Sequence, residues 1–185
     1  STPTHTSTPT STPTPTDTPT STPTPTQTSP PTETPTNPPE PNVGGPNGAS
    51  VSLGCSTSVT VYLGSTPLVI PHGGYDLVDY ENPSAPGILL DWVIIEVGVT
   101  SGGPWVTVFN WGDGPIDANT NIGALGYSPG EPDNEPIPSS DLWGGTGIAI
   151  DVDAVAPAGT YWWVRASAPP GCGDPAEVDA IEVLP

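Results

Sequence analysis

Basic residues are almost missing from this chain: it has no lysine, a single arginine (Arg165) and two histidines, set against 20 acidic residues, for a formal net charge of −19. Gripping nucleic acid requires clustered Lys and Arg to neutralise phosphates, so that class of partner is excluded. Without lysine there is no Walker A loop and no Schiff-base chemistry. An anionic membrane surface would repel the chain. Long apolar runs are missing as well. The longest, Ile88 to Val97, is broken by Asp91 and Glu96 and falls far short of the ~20 residues that span a bilayer, so membrane insertion is not expected.

No charged-then-apolar leader precedes the first residue, and the chain reads as a processed or excised piece whose targeting signal would lie upstream. The only cysteines, Cys55 and Cys172, match no metal or redox spacing. In an exported chain a long-range disulfide between them is the simplest reading, and it points to an extracellular or cell-surface location.

What the sequence has in excess is proline (29) and glycine (22), more than a quarter of its 185 residues. Their distribution divides it. Residues 1–41 contain no Val, Ile, Leu, Phe, Tyr or Trp, so this arm has nothing with which to build a core and offset its ordering entropy. Threonine instead fills every even position of its first part: Thr2, Thr4, Thr6, Thr8, Thr10, Thr12, Thr14, Thr16, Thr18, Thr20, Thr22, Thr24, Thr26 and Thr28, with Thr32, Thr34 and Thr36 in the same phase. The stretch from Thr8 to Asp17 recurs from Thr18 to Gln27 with only its last residue changed. One reading is a stiff polyproline-like spacer of ~3.1 Å per residue, roughly 130 Å in all, carrying O-linked sugars on those threonines. Asn82 is followed by Pro83, which spoils the only N-glycosylation triplet.

A second reading of the arm starts from its prolines. Up to residue 25 they fall only at odd positions (Pro3, Pro9, Pro13, Pro15, Pro19, Pro23, Pro25). In an extended strand odd and even N–H groups point to opposite edges, so one edge loses donors while the threonine edge keeps an unbroken row. Such a strand is suited to adding onto another subunit's sheet.

Residues 42–185 read as all-β. Alternating or β-rich runs occur at 51–55, 59–63, 75–81, 88–99, 105–111, 147–152, 160–166 and 177–183, punctuated by glycine and proline, and no stretch has the spacing and length of a helix. About eight strands predict an antiparallel two-sheet sandwich of jelly-roll type, preceded by the extended arm. Cys55 on the first strand and Cys172 before the last would tie its ends together.

Four segments carry a resemblance: YDLVDYENP (Tyr75 to Pro83), ILLDWVIIEVGVTSGGPWVTVFNWGD (Ile88 to Asp113), GTYWWVRAS (Gly159 to Ser167) and AEVDAIEVLP (Ala176 to Pro185). Together they resemble a β-sandwich module of modular bacterial surface proteins with Thr/Pro-rich linkers. The resemblance implies a secreted or surface module, often repeated in one chain; such sandwiches serve as spacers, adhesins and sugar binders alike.

Catalysis has little to draw on. His5 lies in the arm, so a nucleophilic triad would rest on His72 alone, in a Pro/Gly loop. Asp76, Asp79, Glu81, Asp91 and Glu96 include pairs able in principle to act as acid and base on a glycoside, but carboxylates at alternate strand positions read as a solvated face. Non-enzymatic work is expected, with no cofactor required. For a metal, the loop with Asp113, Asp117, Asn119 and Asn121 has the DxNxN start of a calcium loop, yet Ser128 stands where the closing glutamate belongs. Asp151 and Asp153, or Asp179, offer further hard oxygen ligands, and calcium is the ion they would suit; turn-forming, solubilising acids are the alternative. Of the six tryptophans, the adjacent Trp162 and Trp163 should point to opposite faces, leaving one outside. Trp162 and Trp143 are the candidates for contact with a glycan or a partner, or for lying across the sheet. The function these features suggest is a glycosylated structural subunit whose partners are other copies of itself, joined head to tail into a surface fibre. A carbohydrate-binding or adhesive module on a glycosylated linker is the alternative.

Overall fold

A computed structural model describes residues 40–128 and 133–185. The arm's threonines, Thr2 to Thr36, and its proline phase lie outside the described residues. The described chain is all-β, in antiparallel sheets packed as a sandwich. In chain order the strands are β1 (Asn42–Val43), β2 (Val51–Leu53), β3 (Ser58–Tyr62), β4 (Leu68–Ile70), β5 (Leu77–Glu81), β6 (Gly87–Leu90), β7 (Ile94–Gly98), β8 (Trp105–Asn110), β9 (Glu135–Pro138), β10 (Gly147–Ile150), β11 (Gly159–Tyr161), β12 (Trp163–Ser167) and β13 (Ala176–Val183). One helical turn, α1 (Asn121–Ala124), is capped by Thr120, whose Oγ1 accepts from the Gly123 N–H at 3.0 Å.

Two sheets face each other. The β13 sheet runs β10-β5-β13, and the far edge of β13 is shared by β2, antiparallel at Ala176 to Val178, and β1, parallel at Ala180 and Ile181. The β12 sheet runs β3-β12-β7-β8. Alternation turns Val59, Val61, Ile95, Val97, Val164 and Ala166 of the β12 sheet inward onto Leu53, Leu77, Ile148, Ile150, Val178 and Ile181 of the β13 sheet, in one buried core. Two short pairs, β6 with β9 and β4 with β11, flank it.

The strand count exceeds the eight expected because two runs are broken and three short strands, β1, β4 and β9, lie outside the expected runs. The run 88–99 divides at the buried Asp91: β6 pairs with β9, whereas β7 joins the β12 sheet. The run 160–166 divides at Trp162, where the partner strand makes an excursion between β3 and β4 and the Leu63 N–H rejoins the Trp162 carbonyl at 2.9 Å. The disulfide between Cys55 and Cys172 is present, with Cα atoms 5.4 Å apart. It joins the β2–β3 and β12–β13 connections, both of which cross from one sheet to the other. No helix among the described residues is long and apolar enough to cross a membrane.

Candidate functional site

β5 carries the first departure from the sequence reading. Asp79 and Glu81 do not form a solvated face: they lie on the core side with Leu77, each 3 % exposed, and Asp76 and Asp91 are equally buried. Asp79 stands in a cross-strand row between Ile148 of β10 and Ile181 of β13, both fully buried. Its neighbours in sequence, Val78 and Tyr80, face the other way into a second small buried cluster with Ala149 and Ala180, to which Tyr75 and Leu184 add cover. β5 is therefore dry on both faces. Burial pushes the Asp79 carboxyl up to about 7 and Glu81 well above its usual range, with the charge of Asp79 adding to the latter. Asp91, pushed up to about 6 chiefly by burial, accepts the Asn134 N–H at 3.0 Å and faces Glu177.

A second acidic group forms where β5 begins and β10 ends. The Asp76 N–H donates to the Ile150 carbonyl at 2.9 Å, which seats its side chain beneath the 151–153 turn. There Asp76 Oδ2 accepts the N–H groups of Val152 (2.7 Å) and Asp153 (3.3 Å). Asp153 Oδ2 accepts the His72 N–H at 3.0 Å, and Asp151 Oδ1 accepts the Ala154 N–H at 3.3 Å. One carboxylate oxygen from each of Asp76, Asp151 and Asp153 lies within 4.8 Å of the other two. Asp76 and Asp151 are both raised above the usual carboxylate range, first by burial, and Asp151 further by its contact with Asp153. Among the described residues His72 is the nearest basic group, its Nδ1 3.7 Å from Asp76 Oδ1.

The remaining ligand candidates are engaged in holding the chain. In the 113–121 loop, Asn119 Nδ2 donates to the carbonyls of Val108 (2.8 Å) and Asp151 (3.2 Å). Asn121 spans the loop, its Nδ2 donating to the Asp141 carbonyl and its Oδ1 accepting the Ala149 N–H at 2.7 Å. Asp113 and Asp117 each accept from Asn110, through its side chain and its N–H respectively. Asp179 sits in a bulge of β13, where its oxygens accept the N–H groups of Asn47, Gly48 and Ala49.

The outer face of the β12 sheet is the third feature. Register sets Tyr62, Trp163, Gly98 and Trp105 side by side in one row across β3, β12, β7 and β8. The next row is Thr60, Arg165, Glu96 and Thr107. Arg165 donates from Nε to Glu96 Oε2 at 2.6 Å and lies 4.7 Å from the Trp105 ring centre. Gly98 makes room for this: a Cβ there would come within 2.8 Å of the Trp105 ring. Both Trp162 and Trp163 meet Tyr62, at 6.4 and 4.8 Å between ring centres; Trp163 is buried and Trp162 half-buried, and neither is part of the main apolar cluster between the sheets. The break in pairing at Trp162 ends the strict alternation on which opposite faces were expected. Trp143 is 41 % exposed and lies edge-on to Tyr75, 6.1 Å away, over the outer face of the β13 sheet.

Sequence reasoning passed over Tyr62, Trp105 and Arg165 as a group. The signal lay in register, which only pairing partners supply. No family model matches the chain, and no curated protein or solved structure matches it.

Proposed function

We propose that this chain is a non-enzymatic extracellular structural subunit, in which an O-glycosylated arm (residues 1–41) precedes a β-sandwich and links copies head to tail into a surface fibre. The observation that carries the reading is the proline phase of the arm, because a plain spacer has no reason to keep prolines off even positions for its first 25 residues. Two features of the sandwich support it. β3 pairs with β12 alone, and among the described residues no strand lies along its outer edge, which leaves a ladder open to an added strand. Upstream of Asn42, the edge of β13 that β1 joins is already taken by β2. A contact between one copy's arm and the next copy's edge is heterologous and need not close, so its product is a fibre. The disulfide suits an oxidising, extracellular setting.

A carbohydrate-binding or adhesive module is the second reading, favoured by the half-buried Tyr62 and Trp105 beside the Arg165–Glu96 pair on the outer face of the β12 sheet. One experiment separates the two. The paired change Thr12→Pro with Pro13→Thr keeps composition and stiffness but moves a missing donor onto the pairing edge, at a cost of about 1 kcal/mol per contact. Filaments of the parent, imaged by negative stain, should form less readily and melt lower in the exchanged protein. Isolated particles from the parent, or filaments indifferent to the exchange, would favour the second reading.

A further inference from the structure

We propose that Asp76, Asp151 and Asp153 bind one hard divalent cation, calcium by size, at the end of the sandwich where β5 begins and β10 ends. Two independent observations meet there. The first is that three carboxylates from two separate chain segments each bring an oxygen within 4.8 Å of the others. Ligands of one Ca²⁺ stand about 2.3–2.6 Å from the ion, so oxygens on a shared ion are separated by at most ~5 Å, and the spacing fits. The second is that Asp76 is fully buried and its Oδ1 has no hydrogen-bond partner among the described residues, while Oδ2 is held by two N–H groups. A buried, unpartnered carboxylate oxygen is costly unless a cation or a proton meets it.

The chain supplies little countercharge. It has no lysine, and its single arginine is committed to Glu96 on the other sheet. His72 reaches only one oxygen, at 3.7 Å. Hydrogen bonds already orient the group: the 152–153 amides fix Asp76, the His72 N–H fixes Asp153 and the Ala154 N–H fixes Asp151. Asp151, half-buried, and Asp153, at the rim, leave room for water to complete the six to eight ligands that calcium takes. Bound there, the ion would fasten the loop before β5 to the turn after β10. It would also steady the C-terminal end of β13, where the Leu184 N–H donates to the Asp76 carbonyl at 2.8 Å.

The test is calorimetric titration of the full chain, stripped with chelator, with CaCl₂ and separately with MgCl₂, alongside thermal melts in calcium and in EDTA. One calcium per chain is expected at this site, with weaker magnesium binding and a melting temperature about 5 °C higher in saturating calcium than in EDTA. Asp151→Asn and Asp153→Asn, which keep an oxygen for each local hydrogen bond, should each weaken calcium binding by about tenfold or more while melting like the parent in EDTA. Asp113→Asn, outside the group, should bind calcium as the parent does. Absence of binding at millimolar calcium, binding indifferent to both Asp151→Asn and Asp153→Asn, or equal affinity for magnesium would overturn the assignment.

Discussion

The β13 sheet turns acids toward the core, Asp79 and Glu81 on β5, and covers its outer face with Tyr75, Leu184 and the turn that carries Trp143. The β12 sheet does the reverse. Its inward residues are Val and Ala with Ile95 and Phe109, and the one ion pair among its described residues lies outside, beside an aromatic row. A charge pair on an outward face costs little and contributes little. A carboxyl between two isoleucines cannot stay ionised cheaply, and burial lets Asp79 hold its proton up to about pH 7. The comparison shows that a surplus of acid in a sequence is not the same as an acidic surface, since part of it is carried inside one sheet in neutral form.

The contrast is broken most severely by cutting what joins the sheets. The bridge closes a loop with a sequence separation of 117 residues and clips both crossovers. Cys55→Ser with Cys172→Ser should therefore destabilise by roughly 3–5 kcal/mol, read as a fall of about 10 °C in thermal melts. Non-reducing peptide mapping of the parent should recover the two cysteines in one linked species.

A sharper probe is Asp79→Asn, which removes the ionisation and keeps the shape. In the folded protein Asp79 holds its proton up to about pH 7, while its ordinary value is 3.8. The folded state thus binds the extra proton between those values, so stability is greatest at the acid end and is lost as pH rises through 7. The substitution should leave the melting temperature unchanged near pH 4 and raise stability by about 2–4 kcal/mol at pH 8. A parent that gains stability steadily from pH 4 to 8 would refute the burial argument for β5, provided the same holds in EDTA.

The smallest effect belongs to the other sheet. Arg165→Met retains the aliphatic packing against Trp105 but loses the ion pair and the cation–π contact, with an expected cost of about 1 kcal/mol that shrinks in high salt. Denaturant melts at low and high ionic strength measure it.

Strand positions were largely legible, because alternation in SVTVY (β3) and IIEVG (β7) is a local property and survives any topology. β5 was misread for a physical reason. In LVDYE the apolar side chains Val78 and Tyr80 alternate with Asp79 and Glu81, which by itself says acids out. Both sides of this strand are covered, and the side that became the main core was decided by Ile148 and Ile181, far away in sequence. Asp76 was visible only as one more acid of the 75–81 run, read with Asp79 and Glu81 as part of a solvated face. Its meeting with Asp151 and Asp153 depends on the antiparallel register of β5 with β10, which places Leu77 opposite Ile150. β4 and β9 went unseen because each is short, and Pro136 and Pro138 disguise β9 as a loop.

The parallel pairing of β1 with β13 also sets how the domain bears tension. A pull applied upstream of Asn42 and downstream of Val183 drags two parallel strands past each other along their length. Every bond between them, including that from the Gly44 N–H to the Ile181 carbonyl at 2.9 Å, is then loaded at once instead of one after another. This is a shearing clamp, the arrangement that resists rupture best for a given number of bonds. Should it slip, the covalent link from Cys55 to Cys172 takes up the load and prevents the strands between them from being drawn out, so the domain yields by a short, bounded extension.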